Sequence, residues 1–596
     1  MQTDLCFEVH ELHVPDHIRR GAAPSVDDAR DMLQGLWGYT QFRDGQAEVI
    51  EAVLARRDVL AILPTGAGKS AIYQTTAALL TGTTLVISPL IALMLDQVQN
   101  LHRLGIPAAF INSSLKAREA AAALEALEAG RLKLCYVAPE RFESGEFQAR
   151  LARVAVPLFV VDEAHCVSEW GHDFRTAYTR LGAYRAAIGS PPVLALTATA
   201  PPEVRSDIRE ILRMQDPAMI VRGLDRPNLF WEVVETRDPS AKLRTLLARL
   251  RTLENGSAII YTQYRQDTEE LAGWLSRAGF RARAYHGGLA SQEREEVQRA
   301  WMIGDTPVMV ATSAFGMGVD KPDVRLVAHY TYPATLESYY QEAGRAGRDG
   351  APATCLLLYS PSDRRTHELR FEDMHPPQEV VESVYAALEV AVDEDGRLDG
   401  TLTAWARRTG IDSERRVCAA VRVLASAEIA TNTQRFHEGA FVRMLCPTEE
   451  IRRKLPRKPS GPRDVLAALW KARSEDALRE GVKLEGKEIR KLGKDRRTVR
   501  TAFERLAECG IIEVNWDEAG CRVLKRGLHP TRLPIDWNAI MERQDRVRTQ
   551  LEQVEAYATT NACRRLHLLA YFGEPTAADC SGCDRCGQAD QFREAA

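Results

Sequence analysis

The stretch DVLAILPTGAGKSAIYQTTAALL at residues 58–80 decides the fold. Residues 58–63 are a short apolar run of the kind a buried strand needs. PTGAGKS follows at 64–70, and a helical pattern begins at 71. Strand, glycine loop and helix together make a phosphate-binding setting, because backbone N–H groups converge at a helix N-terminus. Thr65, Gly66, Gly68, Lys69 and Ser70 are the candidate nucleotide-binding residues. In this pattern Lys69 reaches the β- and γ-phosphates and Ser70 holds Mg²⁺. Leu63 stands where the pattern GxxxxGK[ST] has its first glycine.

Outward from that loop, VPLFVVDEAH at 156–165 is an apolar strand ending in two acids. Asp162 at a strand end suits Mg²⁺, and Glu163 suits orientation or deprotonation of an attacking water. TTLVISP (83–89), LKLCYVAPE (132–140) and PVLALTATA (192–200) are further strands separated by helical patterns. A doubly wound α/β domain is expected over 36–220.

The next segment repeats the plan without a glycine-rich phosphate loop. Strands are expected at 256–262, 281–288, 306–315 and 324–332, with helices between them. This second α/β domain, 221–365, carries SYYQEAGRAGRDG at 338–350. Gln341, Arg345 and Arg348 are its candidate catalytic side chains. The two arginines are three residues apart, a spacing that places both on one helical face. A planar guanidinium suits the charge developing on a transferring γ-phosphate.

Composition narrows the class. The 596 residues are 45% hydrophobic and 27% charged, with a net charge of -4, so several soluble domains are expected. No apolar run is long enough to span a bilayer, and the N-terminus lacks the pattern of a signal peptide, so a cytoplasmic protein is expected. Of twelve cysteines, eight are scattered singly. Cys563, Cys580, Cys583 and Cys586 form C-x16-C-x2-C-x2-C. Four thiolates suit a closed structural Zn²⁺ site; spacing alone also admits an iron–sulfur cluster or a redox dithiol.

Residues 366–536 contain a weak repeat. AWARRTGIDSERRVCAAVRVLASAEIATN (404–432) parallels KEIRKLGKDRRTVRTAFERLAECGIIEVN (487–515). Each reads as helix, turn, helix and strand, the plan of a winged-helix unit, with plain helical hairpins as the alternative. Winged-helix-like units are expected at 366–452 and 453–536, with RKLPRKPSGPR (453–463) as the linker. Residues 451–500 hold 17 Lys+Arg against 7 Asp+Glu, a concentration that favours phosphate-backbone contact. Residues 1–35 are expected to be an N-terminal extension, and 537–596 the zinc-binding module.

These motifs resemble those of superfamily 2 helicases and, more narrowly, the RecQ family of DNA helicases, over about 36–365 and again at 537–590. LWGYTQFRDGQ (36–46) looks like that family's adenine-recognition segment. The resemblance implies that Gln46 reads the adenine edge, with Arg43 and Tyr39 beside it. VISPLIALMLDQV (86–98), YVAPERF (136–142), LTATA (196–200) and ATSAFGMGVDKPDVR (311–325) resemble helicase motifs. Leu63 is usual in the family's loop. CVSEWGHDFRTAY (166–178) resembles the aromatic-rich loop that links DNA contact to hydrolysis. It implies that Trp170, Phe174 and Arg175 contact DNA and that His172 signals to the ATP site. ACRRLHLLAYFGE and DCSGCDRC resemble the family's zinc module. The insertion before that module is similar to a RecQ-like subgroup with a terminal zinc module, the RqlH type.

The resemblance therefore implies two tandem RecA-like parallel-sheet domains, winged-helix-like α+β units and a small zinc-binding helical module. It implies an ATP- and Mg²⁺-dependent 3′–5′ helicase with structural Zn²⁺. The expected partner is single-stranded and tailed duplex DNA, in repair or recombination, with the chain working as a monomer. An RNA helicase, or a strand-annealing protein whose hydrolysis times release, are the alternatives.

Overall fold

The computed structural model describes residues 15–587 other than 65, 116, 169–174, 254, 317–320, 393–408, 412, 433–439, 448–449, 452–453, 456–460, 474, 485, 494–495, 517–520, 575–579 and 581. The chain forms two compact units, one of residues 1–364 with 545–596 and one of residues 365–544.

The first unit holds two parallel sheets. The first sheet comprises β1 (Val59–Ile62), β2 (Thr84–Ile87), β3 (Ala108–Ile111), β4 (Leu134–Val137), β5 (Phe159–Val161), β6 (Val193–Thr197) and β7 (Ala218–Val221), in the order β3-β4-β2-β5-β6-β1-β7. All its pairings are parallel. Helices cover both faces, which is why its strands read as continuous apolar runs rather than alternating ones. β6 lies between β5 and β1, so Thr197 at its end sits between the phosphate loop and the acid pair.

The second sheet comprises β8 (Leu229–Glu235), β9 (Ser257–Tyr261), β10 (Ala282–Tyr285), β11 (Val308–Ala311), β12 (Val324–His329) and β13 (Ala353–Tyr359), in the order β10-β11-β9-β12-β13-β8. It too is parallel throughout. Residues 222–228 join the two lobes.

The N-terminal boundary expected at 35/36 falls inside a helix, Val26–Trp37. Ser25 and Asp28 close a capping box at its start. Ala29, Met32 and Leu33 are buried, and Ala29 and Met32 join the core built around β1. This segment is therefore part of the first lobe.

The second unit is a nested pair rather than the expected tandem. Its outer part packs helices Gln378–Ala391 and Glu414–Ser426 on the antiparallel strands Ala430–Asn432 and Cys521–Val523. The inner part has a three-stranded sheet, with Ala440–Met444 between Val482–Leu484 and Ile512–Trp516. Helices Gly461–Ala472 and Arg496–Glu508 pack on it over a separate core. The boundary expected at 452/453 therefore cuts the inner sheet from its helices. Strand pairing decides membership here: 440–444 goes with the later segment and 521–523 returns to the earlier one. The expected linker at 453–463 also ends sooner, since a helix starts at Gly461.

Candidate active site

After β1 the chain turns into the helix Lys69–Leu79, whose N-terminus has no side-chain cap. Its first-turn amides are thus available to an anion. Gly66 and Gly68 have φ of 88° and 73°, a region glycine adopts without strain. A Cβ on Gly68 would lie 2.7 Å from Gln46 Nε2. Leu63, at the position of the missing glycine, is fully buried in the core of the lobe. Thr65 lies outside the described residues.

The acid pair faces this loop. Asp162 is buried, and burial and then Glu163 push its carboxyl up to about 7, while Lys69 pulls it back. Glu163 adopts a left-handed conformation, φ 49°, and its N–H donates to Asp162 Oδ1 at 3.0 Å. Glu163 Oε2 is buried without a hydrogen-bond partner among the described residues. Two adjacent acids, Asp162 buried and Glu163 partly buried with its Oε2 accepting no hydrogen bond among the described residues, form a donor set that fits a divalent cation and its water. Ser70 and Asp162 would hold that Mg²⁺, which supplies charge to neutralise phosphate oxygens.

His165 ties the acid pair to β6. Burial first, then Lys69 and Arg175, lower it to about 3, so the ring is neutral. Its Nδ1 lies 3.0 Å from Thr197 Oγ1 and 3.3 Å from Glu163 Oε2. Thr197 Oγ1 donates to the Thr199 carbonyl at 3.0 Å, so it accepts from His165. One helical turn on from Ser70, Tyr73 is buried with its ring edge against Tyr136.

The expected adenine segment folds onto the loop. Gln46 Nε2 donates to the carbonyls of Ala67 (2.7 Å) and Gly68 (3.1 Å), and its Oε1 accepts from the Arg43 N–H at 2.9 Å. Arg43 Nη1 donates to the Gly66 carbonyl. Tyr39 is 57% exposed.

The arginines do not share a helical face. The helix Leu336–Ala343 stops before them, and Arg345 and Arg348 lie in the turns that follow. Gly347, at φ 54°, bends the chain there. Arg226 holds the carbonyls of Gly344, Ala346 and Gly347, and Asn228 holds those of Gly347 and Ala351. Backbone acceptors that would have continued the helix are thereby occupied. Arg345 is 5% exposed. Gln341 is half-buried in the last turn of the helix.

Lys69 Nζ donates to the Leu63 carbonyl at 3.1 Å. Burial lowers the ammonium from its ordinary value, Glu163 and Asp162 raise it, and Arg348 of the other lobe lowers it. Both acids and one arginine therefore act electrostatically on the phosphate-loop lysine. Thr197, His165, Tyr73, Arg226 and Asn228 were not singled out from sequence. Only the DEAH and LTATA strings hinted at the first two.

Of the expected DNA contacts, Trp170, His172 and Phe174 lie outside the described residues. Arg175 Nη1 donates to the Pro89 carbonyl at 3.2 Å, tying that loop to the segment after β2.

The four cysteines converge: the Sγ atoms of Cys563, Cys580, Cys583 and Cys586 lie within 4.8 Å of one another. That fits one tetrahedral ion. Cys563 starts the helix Arg564–Tyr571, and Cys583 pairs with Trp231 on the edge strand β8. Asp584 N–H donates to the Trp231 carbonyl at 3.0 Å, and Asp584 accepts from Arg564 and from the Val233 N–H.

Three family models match the chain: DEAD/DEAH box helicase over 43–208, Helicase conserved C-terminal domain over 241–350, and RecQ zinc-binding over 531–587. ATP-dependent DNA helicase RecQ of Pasteurella multocida is 43% identical over 363 residues, 61% of this chain and 57% of that protein. The probable ATP-dependent DNA helicase RecS of Bacillus subtilis is 41% identical over 367 residues, 61% of this chain and 73% of that protein. The chain thus spans little more than half the length of the Pasteurella relative.

Proposed function

The chain belongs to the RecQ family of helicases, and from that premise we propose that it is an ATP- and Mg²⁺-dependent 3′–5′ DNA helicase. The observation that carries the reading is an uncapped, glycine-flanked helix start at Lys69 after β1, with the Asp162–Glu163 pair at the end of β5, one strand removed in the same sheet. In this reading Lys69 and the loop amides bind the phosphates, and Ser70 and Asp162 hold the metal ion. Glu163 orients the water, and Arg345 and Arg348 stabilise the transition state, with Gln341 beside them. Gln46, Arg43 and Tyr39 hold the adenine, and Thr65, Gly66 and Gly68 complete the loop. Closure and reopening of the lobes then move single-stranded DNA past Trp170, His172, Phe174 and Arg175.

The four cysteines hold one structural Zn²⁺ with no open coordination position. The substrates are single-stranded and tailed duplex DNA, handled by a monomer at the bacterial nucleoid in repair or recombination. Among the described residues no helix is long and apolar enough to cross a membrane.

The test is ATP hydrolysis with single-stranded DNA, with RNA and with neither, alongside unwinding of a 3′-tailed duplex. DNA should stimulate turnover, and Lys69→Ala should abolish both turnover and unwinding. Stimulation by RNA alone would replace the DNA reading with an RNA one. Unwinding that survives Lys69→Ala would remove ATP hydrolysis from the mechanism.

A further inference from the structure

We propose that Arg226 is a positioning residue for the arginine turn, and that the cysteine module sets it through Asp225. The proposal rests on the ATPase reading above and adds to it a route from the module to the transition-state arginines.

Residues 222–228 join β7 to β8 and so link the two lobes. Three consecutive parts of this strap are fastened on different sides. Leu224 gives its carbonyl to the Tyr340 hydroxyl. Asp225 takes a two-pronged grip from Arg565, with Nε donating to Oδ1 at 2.5 Å and Nη2 to Oδ2. Arg565 lies in the helix that Cys563 begins, so the grip comes from an element anchored at the four-cysteine cluster.

The next residue turns the other way. Arg226 Nη1 donates to the Gly344 carbonyl at 3.2 Å, and Nη2 to those of Ala346 at 2.9 Å and Gly347 at 3.0 Å. These three carbonyls bracket Arg345. Asn228 pins the far side of the turn at Gly347 (2.8 Å) and Ala351 (2.9 Å). A Cβ at Gly347 would come 2.5 Å from Asn228 Nδ2, so the turn has little room to shift. A guanidinium spans three acceptors because its donors form a rigid planar fork; an ammonium at the same place is a single point charge. Backbone position at 344–347 fixes where the Arg345 side chain starts. Arg226 therefore acts on the chemistry through Arg345, and Asp225 couples Arg226 to the module.

A helix-ending clamp would serve stability alone, and the experiment separates the two roles. Wild type, Arg226→Lys, Arg226→Ala, Arg565→Ala and the swap Asp225→Arg with Arg565→Asp are compared in the full chain. Measurements are kcat and KM for ATP with single-stranded DNA, melting temperature, and affinity for ADP with and without aluminium fluoride. Misplacement of a catalytic group by about an ångström lowers turnover on the order of 100-fold. Both Arg226 variants should lose about 10- to 100-fold in kcat. Their affinity for ADP–aluminium fluoride should fall in parallel, with ADP affinity, KM and melting temperature near wild type. Arg565→Ala should lose less, and the charge swap should recover part of that loss. Unchanged kcat in Arg226→Ala overturns the proposal. So does a fall of kcat, ADP affinity and melting temperature together. A wild-type chain that hydrolyses no ATP overturns the ATPase reading and this proposal with it.

Discussion

Asp162 is a buried carboxylate beside a second acid, and burial first, then Glu163, raise its pKa to about 7. The ordinary value is near 3.8. Because the folded value is the higher one, the folded chain holds the proton more tightly than the unfolded chain. The contribution of Asp162 to stability is therefore most favourable below about pH 4, falls as pH rises toward 7, and levels off beyond. Asp162→Asn removes the charge altogether. In buffer free of magnesium and nucleotide, the variant should melt higher than wild type near pH 8, and the difference should close toward pH 4. Calorimetry at both pH values checks this; a variant melting lower near pH 8 would mean that the protein already compensates the charge. The pair was legible in sequence because two acids at the end of an apolar strand are chemically conspicuous. Thr197 was not, because its place between loop and acids comes from strand order, which spacing along the chain does not reveal.

Elements were legible where burial dictates them. Nine of the thirteen strands were read from apolar runs, the signature of a parallel sheet covered on both faces, whereas β3, β7, β8 and β13 were not picked out. The helix carrying the arginines was misread at its end. Gly344 and Gly347 allow a turn, but Arg226 and Asn228, more than a hundred residues away, make it by taking the carbonyls. The four-cysteine element was readable as a metal site from spacing, whereas its docking on β8 was not. Chelation of the metal should lower the melting temperature and alter tryptophan emission, since Trp231 is 2% exposed and bonded to residues 582 and 584. Trp231→Phe should keep the loss of stability and lack that part of the emission change. Elemental analysis should find about one zinc per chain. A chain that melts identically with and without metal would exclude a structural ion.

At the scale of the molecule, the second unit is an insertion carrying an insertion. Strands Ala430–Asn432 and Cys521–Val523 are antiparallel neighbours, with Asn432 opposite Cys521. The inner part thus leaves and re-enters its host at one place. Replacing residues 433–520 by Asn-Gly, a turn suited to antiparallel strands, should keep the host sheet and leave DNA-independent ATP turnover within about twofold. It also removes the basic segment 451–500, so DNA affinity should fall less steeply with salt. Titrations at several salt concentrations measure this; an unchanged slope would mean that the basic segment touches no phosphate. Sequence showed two similar units here and placed them side by side, because similarity of local pattern says nothing about which strand pairs with which.

The docking of residues 582–584 on β8 also bears on how the chain is born. Trp231 leaves the ribosome about 350 residues before Cys583, which at roughly 5–20 residues per second is a wait on the order of tens of seconds. Throughout that interval β8 is an open sheet edge beside a large aromatic surface, the condition under which nascent chains stick to one another. The edge of β8 is covered only once residues 582–584 have docked, so the supply of metal during synthesis should set how long that edge stays open.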